Sequence, residues 1–298
     1  MDEIKVSIFT PSYNREHTLR RCYESILKQD NLNNIEWILI NDGSTDNTEV
    51  LVQEILNEKR LNIVYLSQEN KGKQATWNRA VLNAKGQYFI GLDSDDALQP
   101  KSLFNILNAN INFLEKENII GLRCLALSNI TQKPSGRKIS DNSIEQSWFD
   151  EFSSSGNFGE RIDILKTDLI KKILYPIASD IKFIPEIWFY VKTASAGYEF
   201  IYSPDALSLF FDDETENRLS KSSLFKHAQG HYISRSVMLK EIPTYVWLKN
   251  PMALIKTVIR FSQMANHLSK SFSERREATN TLFTLLSFLF TPFSKRNK

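Results

Sequence analysis

Cysteine is scarce in this chain. Only Cys22 and Cys124 occur among 298 residues, far apart and in no Cys-x-x-Cys or Cys/His spacing, which excludes a disulfide-stapled miniprotein and a structural zinc site. Glycine and proline are also few, ten and nine, so collagen-like and low-complexity classes drop out. Excess charge of either sign is missing: 37 Lys and Arg against 35 Asp and Glu leave a net charge of +2. No global basic field therefore argues for nucleic acid. Long apolar runs are missing as well, since the longest, Thr281 to Phe290, is roughly half the ~20 residues that a spanning helix needs. The start, Met1-Asp2-Glu3-Ile4-Lys5, carries acid where a signal peptide carries base, and the run Val6 to Phe9 is too short for a signal core. The expectation is a cytoplasmic protein that folds around a sizeable core.

What is present is an alternation of short β-rich runs and amphipathic segments over the first hundred residues, the pattern of strand-helix-strand units. Strands are expected at Val6–Thr10, Ile35–Ile40, Ile63–Leu66 and Tyr88–Leu92. Helices are expected from Thr18, where Leu19, Cys22, Tyr23, Ile26 and Leu27 recur on one face, from Asp46 to about Asn57, and over Gln74–Ala84. Asp46 with Glu49 reads as a capping box. One long helix is expected from Pro100 to about Asn118, a strand over Ile119–Ser128, and an exposed connection over Thr131–Ser147; beyond about Ser222 the chain reads as helices.

In an open α/β sheet the ligand crevice lies outside the carboxyl ends of the strands. Thr10 to Asn14, Asp42 and Asp93-Ser94-Asp95-Asp96 all fall there. Two carboxylates spaced by one residue at a strand end are a partial site for a hard divalent cation, Mg²⁺ or Mn²⁺, that keeps waters and is completed by substrate phosphates; an Asp-rich turn that caps or solvates is the bland alternative. His227 and His231, four apart, lack a third metal ligand nearby and read as ordinary histidines. Aromatics are core by default, with Trp188, close to Glu186, the one favoured for a cleft.

Four motifs stand in order: Thr10-Pro11-Ser12-Tyr13-Asn14-Arg15, Asn41-Asp42-Gly43-Ser44-Thr45-Asp46, Gln68-Glu69-Asn70-Lys71-Gly72 with Asn78-Arg79-Ala80, and Asp93-Ser94-Asp95-Asp96. Together they resemble the family 2 glycosyltransferases of the nucleotide-sugar-binding GT-A fold, strongly over residues 4 to 100. A fainter likeness to bacterial surface-polysaccharide transferases runs through Phe158-Gly159-Glu160-Arg161 and Phe183-Ile184-Pro185-Glu186 to about residue 220. The resemblance implies a largely parallel sheet flanked by helices, with a catalytic domain over 1–220, split near residue 100 into donor and acceptor halves, and a helical, basic region over 221–298.

The resemblance also implies roles. Pro11, Tyr13 and Arg15 would lie against the nucleotide, Asp42 would accept from a uracil ring, Gly72 and Lys73 would pass the base and ribose, and Asn78 and Arg79 would support the diphosphate. Asp93 and Ser94 would face ribose or metal-bound water, and Asp95, with Asp93, would hold the metal; Asp96 is a third carboxylate of lesser claim. Glu186, preceded by Pro185, is the candidate general base, with an ordinary helix N-terminal acid as its alternative. Asn41 stands where the family often has Asp, and Ile187 where a second acid is usual. Arg218 and Lys221 read as surface charges or as lid cations.

The implied activity is metal-dependent inverting transfer from a nucleotide sugar, UDP-linked, to a glycan or lipid-diphosphate-linked acceptor. A non-catalytic nucleotide-sugar-binding scaffold subunit is the alternative. A sugar-phosphate nucleotidyltransferase is disfavoured, because Pro11-Ser12-Tyr13-Asn14 stands where that class has a Gly-rich loop. Residues 251–298 carry eight Lys and Arg against two Glu, so Thr281–Phe290 reads as a basic amphipathic helix on the cytoplasmic face of the inner membrane, or else as a helix packed on its own domain.

Overall fold

The computed structural model describes residues 5–136, 138–154, 159–211 and 224–290. Within them the chain forms two compact units: residues 5–146, 159–176 and 199–211 make the first, and residues 147–154, 177–198 and 224–290 the second.

The first unit is a nine-stranded mixed sheet with helices. Its strands are β1 (Val6–Ser12), β2 (Ile35–Asn41), β3 (Asn62–Ser67), β4 (Tyr88–Gly91), β5 (Ala97–Leu98), β6 (Ile119–Ser128), β7 (Ile144–Gln146), β8 (Arg161–Lys166) and β9 (Glu199–Phe210). They lie in the order β3-β2-β1-β4-β8-β6-β9-β5, with β7 on β9. Strands β3, β2, β1 and β4 are all parallel, as the strand-helix-strand reading expects. Past β4 the pairing mixes: β8 runs antiparallel to both β4 and β6, while β6 and β9 are parallel.

Burial explains the central strands. Every position of β2, and every position of β1 but Pro11, is buried, as for a parallel strand covered on both faces. Helices α1 (Leu19–Ile26), α2 (Thr48–Glu58) and α3 (Lys73–Asn83) are the crossovers. Trp37 of β2 stacks on Tyr23 of α1 with centroids 5.6 Å apart, and its indole N–H donates to Thr10 Oγ1 at 2.9 Å. Glu36, buried on β2, accepts on Oε1 from Ser7 Oγ and from the Lys85 and Gly86 backbone N–H groups, which ties β1, β2 and the turn before β4 together. On the other side, Trp77 of α3 meets Phe9 and Phe89 edge-on.

Four local expectations are corrected. The helix after Pro100 is two, α4 (Ser102–Ala109) and α5 (Ile111–Leu114), because Asn110 leaves helical geometry and its amide donates to Ile106 O at 2.9 Å. The Asp46–Glu49 capping box does not form: Asp46 accepts from Thr48 N, but Glu49 turns to Tyr65, Gln53 and Asn41. The connection over 131–147 contains β7, which pairs with β9. Strands β8 and β9 went unread, β9 because Ser203-Pro204-Asp205 interrupts its pattern and shifts its register against β6. A short helix, α7 (Thr167–Ile170), follows β8.

The second unit is helical: α6 (Trp148–Ser153), α8 (Ile187–Ser195), α9 (Ala228–Glu241), α10 (Thr244–Lys249), α11 (Pro251–His267), α12 (Phe272–Ala278) and α13 (Thr281–Leu289). Trp148 stacks on Phe152 and Tyr190, and Tyr232 on Phe261, so aromatics form its interior. Trp188 is 7% exposed and belongs to that interior, which corrects its assignment to a cleft. The capping box of this chain is instead Ser271 with Glu274, at the start of α12. Arg275 is buried and donates to Lys270 O, Ser287 Oγ and Asn266 Oδ1. One of the basic residues counted in the tail is thus internal. Among the described residues no helix is long and apolar enough to cross a membrane.

Candidate functional site

The register of the parallel strands gathers their carboxyl ends. Ser12 pairs with Asn41 and Asn41 with Ser67, while β4 ends at Gly91 beside Phe9. The turns that follow are tied together by hydrogen bonds between side chains and backbone. Asn14, at a positive φ of 54°, receives Thr45 N on its Oδ1 at 2.8 Å and donates its own N–H to Ser44 Oγ at 3.0 Å. Arg15 N donates to Thr48 Oγ1 at 2.8 Å. Pro11 is half-buried at the end of β1, and Tyr13 beyond it is exposed.

Asp42 is buried and holds the third motif in place. Its Oδ1 accepts from Gln68 Nε2 and Lys71 N, its Oδ2 from Gly72 N, each at 2.8 Å. Two loops approach so closely here that a Cβ on Gly43, whose φ is 78°, would lie 2.8 Å from Asn70 N. Asn41 donates its amide to Glu49 at 3.0 Å, a bond that an aspartate in its place would lack.

The acidic turn after β4 is reached from two sides. Lys73 Nζ, at the start of α3, lies 3.0 Å from both oxygens of Asp93. Arg15 donates from Nε to Ser94 Oγ at 3.2 Å, and its NH2 lies 3.8 Å from Asp95 Oδ2. Arg21 of α1 donates to the Asp95 carbonyl while its guanidinium lies over the Phe211 ring at 3.5 Å. The Asp96 carboxyl is pushed up to about 8, by burial first and then by the charges of Asp93 and Asp95, with Lys73 acting in the opposite direction. Arg21 carries no spacing signal in the sequence, being a helix-surface arginine, and Gln68 belongs to the third motif without a role that the sequence assigns.

Two expected residues have structural duties. Asn78 is buried and clamps the Tyr175 backbone through both ends of its amide, at 2.8 and 2.9 Å. Arg79 donates to Ser67 O and Gln68 Oε1, behind the loop that Asp42 holds. In the second unit, Glu186 occupies the N-cap position of α8 and is exposed, and its side chain makes no capping hydrogen bond. Its backbone carbonyl receives Phe189 N at 2.8 Å. Phe158, Asp212, Asp213, Glu214, Arg218, Lys221, Lys295, Arg296 and Lys298 lie outside the described residues.

Among the described residues no group of three or more His, Cys, Asp or Glu side chains is gathered tightly enough to hold an ion by itself. Asp93 and Asp95 nonetheless fit a hard cation as a partial site. They are carboxylate oxygens on one turn, each beside a protein cation, and their combined negative charge is strong enough to help keep Asp96 protonated.

Comparison with solved structures places the chain among GT-A folds. A Staphylococcus aureus TarS fragment in complex with UDP-GlcNAc matches with a TM-score of 0.64 over 91% of this chain and 75% of that one, at 18% identity. A Pyrobaculum calidifontis mannosyltransferase, solved with GDP-Man and Mn²⁺, gives a TM-score of 0.57 over 98% and 88%, at 17% identity. Among curated proteins, Pasteurella multocida chondroitin synthase is 36% identical over 46% of this chain and 13% of its own length. The Bacillus subtilis minor teichoic acid biosynthesis protein GgaB is 36% identical over 34% of this chain and 11% of its own. The chain therefore matches only a small part of those longer relatives. The family model described as "Glycosyl transferase family 2" matches residues 7–160, a stretch that contains all four tied turns and more than half of the chain, and so the chain belongs to family 2 of the glycosyltransferases.

Proposed function

We propose that the protein is a metal-dependent inverting glycosyltransferase that moves a hexosyl or N-acetylhexosaminyl group from a nucleotide sugar, UDP-linked, to a glycan or lipid-diphosphate-linked saccharide in bacterial surface-polysaccharide synthesis. The observation that carries the reading is the Asp93–Asp96 turn, with Lys73 on one carboxylate and Arg15 on the other. Oxygen-only ligands suit Mg²⁺ or Mn²⁺, and Asp93 and Asp95 would hold it. When bound, the ion supplies Lewis-acid charge against the leaving diphosphate.

The chain's own groups supply the rest. Asp42 fixes the loop from Gln68 to Gly72, and its carboxylate edge is the reader of a uracil ring. Pro11, Tyr13 and Arg15 border the nucleotide, Gly72 and Lys73 its ribose side, and Ser94 the ribose. Lys73 and Arg15 offer positive charge to the diphosphate. Asn78 and Arg79 support that side indirectly, through the Tyr175 backbone and the Gln68 loop. Glu186 takes the acceptor hydroxyl's proton. One base and one departing diphosphate describe a single displacement, which inverts the anomeric carbon. The domain scheme of donor half 1–100, acceptor half 101–220 and helical region 221–298 is kept as part of the proposal. No nucleic acid enters it.

Peripheral contact with the inner membrane, on the cytoplasmic face, is supported by α13, which buries Thr284 and Ser287 and exposes Leu282, Leu285, Phe288 and Leu289. Deleting residues 271–298 should move the protein out of the membrane fraction; unchanged fractionation would argue against that contact. The catalytic reading is tested by Asp95→Ala, which should lose nearly all turnover while the protein stays folded. A scaffold subunit would instead still complement a deletion strain when it carries this substitution.

A further inference from the structure

Helix α9 of the second unit carries an unusual row of nitrogen groups. His227 caps its start, His231 follows one turn later and Arg235 one turn beyond, a spacing of four that puts all three on one face. Among the described residues, His227 Nε2, His231 Nδ1 and Arg235 Nε are each sealed from solvent without a hydrogen-bond partner. His227 is 8% exposed. At the N-cap of a 14-residue helix, a buried imidazole nitrogen without a partner marks a place where a hydrogen-bonding group is missing.

Among the described residues, the charges that act on this row are all of one sign. Arg260 of α11 is near enough to act on both Arg235 and His231, and Lys226 acts on His227. Burial, together with Arg260, brings the Arg235 guanidinium down to about 10, and burial, with Arg235, His227 and Arg260, brings His231 down to about 4. Among the described residues neither arginine pairs with a carboxylate: Arg235 donates to Met238 Sδ at 3.1 Å and Arg260 to Gln263 Oε1 at 3.4 Å. A guanidinium that is largely buried without a counter-charge is costly, and an anion that enters from outside removes that cost. Arg260 is exposed, so the solvent side of this charge pair is the one an anion would reach first.

The row adjoins the segment that ends in Glu186. The Phe183 ring contacts both imidazoles, with centroids 5.4 Å from His227 and 6.1 Å from His231. Between those two turns Gly230 lets the helix approach so closely that a Cβ there would lie 1.8 Å from Phe183 O. We propose that His227, His231, Arg235 and Arg260 form an anion site for a phosphate group of the acceptor, beside the segment that carries the general base. The inference rests on the transferase reading for its biological sense. A tetrahedral oxyanion suits it better than a planar carboxylate, because two guanidinium forks and two imidazoles present donors from more than one helix.

The test uses inorganic pyrophosphate as the probe, titrated calorimetrically in metal-free buffer into the wild type, Arg235→Met, Arg260→Gln and Asp95→Ala, with UDP and Mn²⁺ titrated in parallel. Wild type and Asp95→Ala should bind pyrophosphate alike, and both arginine variants should bind it at least about tenfold more weakly, the loss of one charge-assisted hydrogen bond. UDP should bind all but Asp95→Ala as tightly as wild type, and saturating UDP should leave pyrophosphate binding intact. No pyrophosphate binding, or binding indifferent to both arginines, overturns the site. Displacement by UDP, or loss in Asp95→Ala alone, assigns the anion to the donor's diphosphate and also overturns it. Arg260 is exposed, so Arg260→Gln decides the matter if Arg235→Met fails to fold. A failure of UDP to bind the wild type, with pyrophosphate behaving as expected, strikes the transferase reading and leaves the anion site standing.

Discussion

Asp42 accepts three hydrogen bonds inside the first unit, two of them from backbone N–H groups of the loop it holds. Asp42→Asn keeps the shape but offers an amide N–H to donors, so it should cost about 2–4 kcal/mol of stability and weaken UDP binding. Denaturant melts and UDP titration check both effects. A loss of binding with unchanged stability would mean that the loop is held by other means. At His231 the sign of the pH effect is fixed by its folded-state value of about 4 against an ordinary 6.5. The imidazole is kept neutral, so its contribution is intact above about pH 6.5 and is lost as pH falls toward 4. His231→Asn should therefore flatten the acid side of a thermal-stability profile between pH 6.5 and 4, and a profile as steep as wild type would contradict the assignment. The acidic turn was legible at this scale because Asp, Ser and Asp follow an apolar strand without a break. The pairing of Lys73 with Asp93 and of Arg15 with Asp95 was not, since each joins residues from different turns and depends on strand register.

At the scale of elements, α9 reaches the Phe183–Glu186 segment through Gly230, where no side chain fits. Gly230→Ala should push that segment away at a cost of about 1–3 kcal/mol or more, and it should reduce transfer to acceptor while UDP binding stays at the wild-type level. Transfer and UDP binding falling together would show that the segment does not serve the acceptor side alone. Arg275 binds the C-terminal helices internally, so Arg275→Met should leave Ser287 Oγ and Asn266 Oδ1 short of a donor and destabilise them by about 2–4 kcal/mol, read as faster hydrogen exchange in α11 to α13. The first four strands and their helices were readable because apolar runs alternate there with one-sided helices. β9 was not, because Pro204 and its polar neighbours break the period. α13 was readable as apolar, but not which of its residues turn inward: Phe283 and Leu286 pack on the buried cluster of the second unit beside Thr284 and Ser287, whose hydroxyls donate to Asn280 O and Thr284 O.

For the whole molecule, the sequence motifs cluster in the first unit, whereas Glu186 and the α9 row belong to the second. That division follows from physics: phosphate- and cation-binding turns are built from short polar motifs at strand ends, which a sequence displays, while the second unit depends on aromatic stacking and helix approach across long separations. The central claim, a metal-dependent nucleotide-sugar transferase, is tested most directly by a panel of nucleotide sugars with Mg²⁺ or Mn²⁺, scoring thermal stabilisation and slow hydrolysis to nucleoside diphosphate. The expected result is a metal-dependent shift with one UDP-sugar and hydrolysis that disappears in Asp95→Ala. No shift with any nucleotide sugar, with or without metal, would contradict it and leave the Asp93–Asp96 turn a structural feature of the fold.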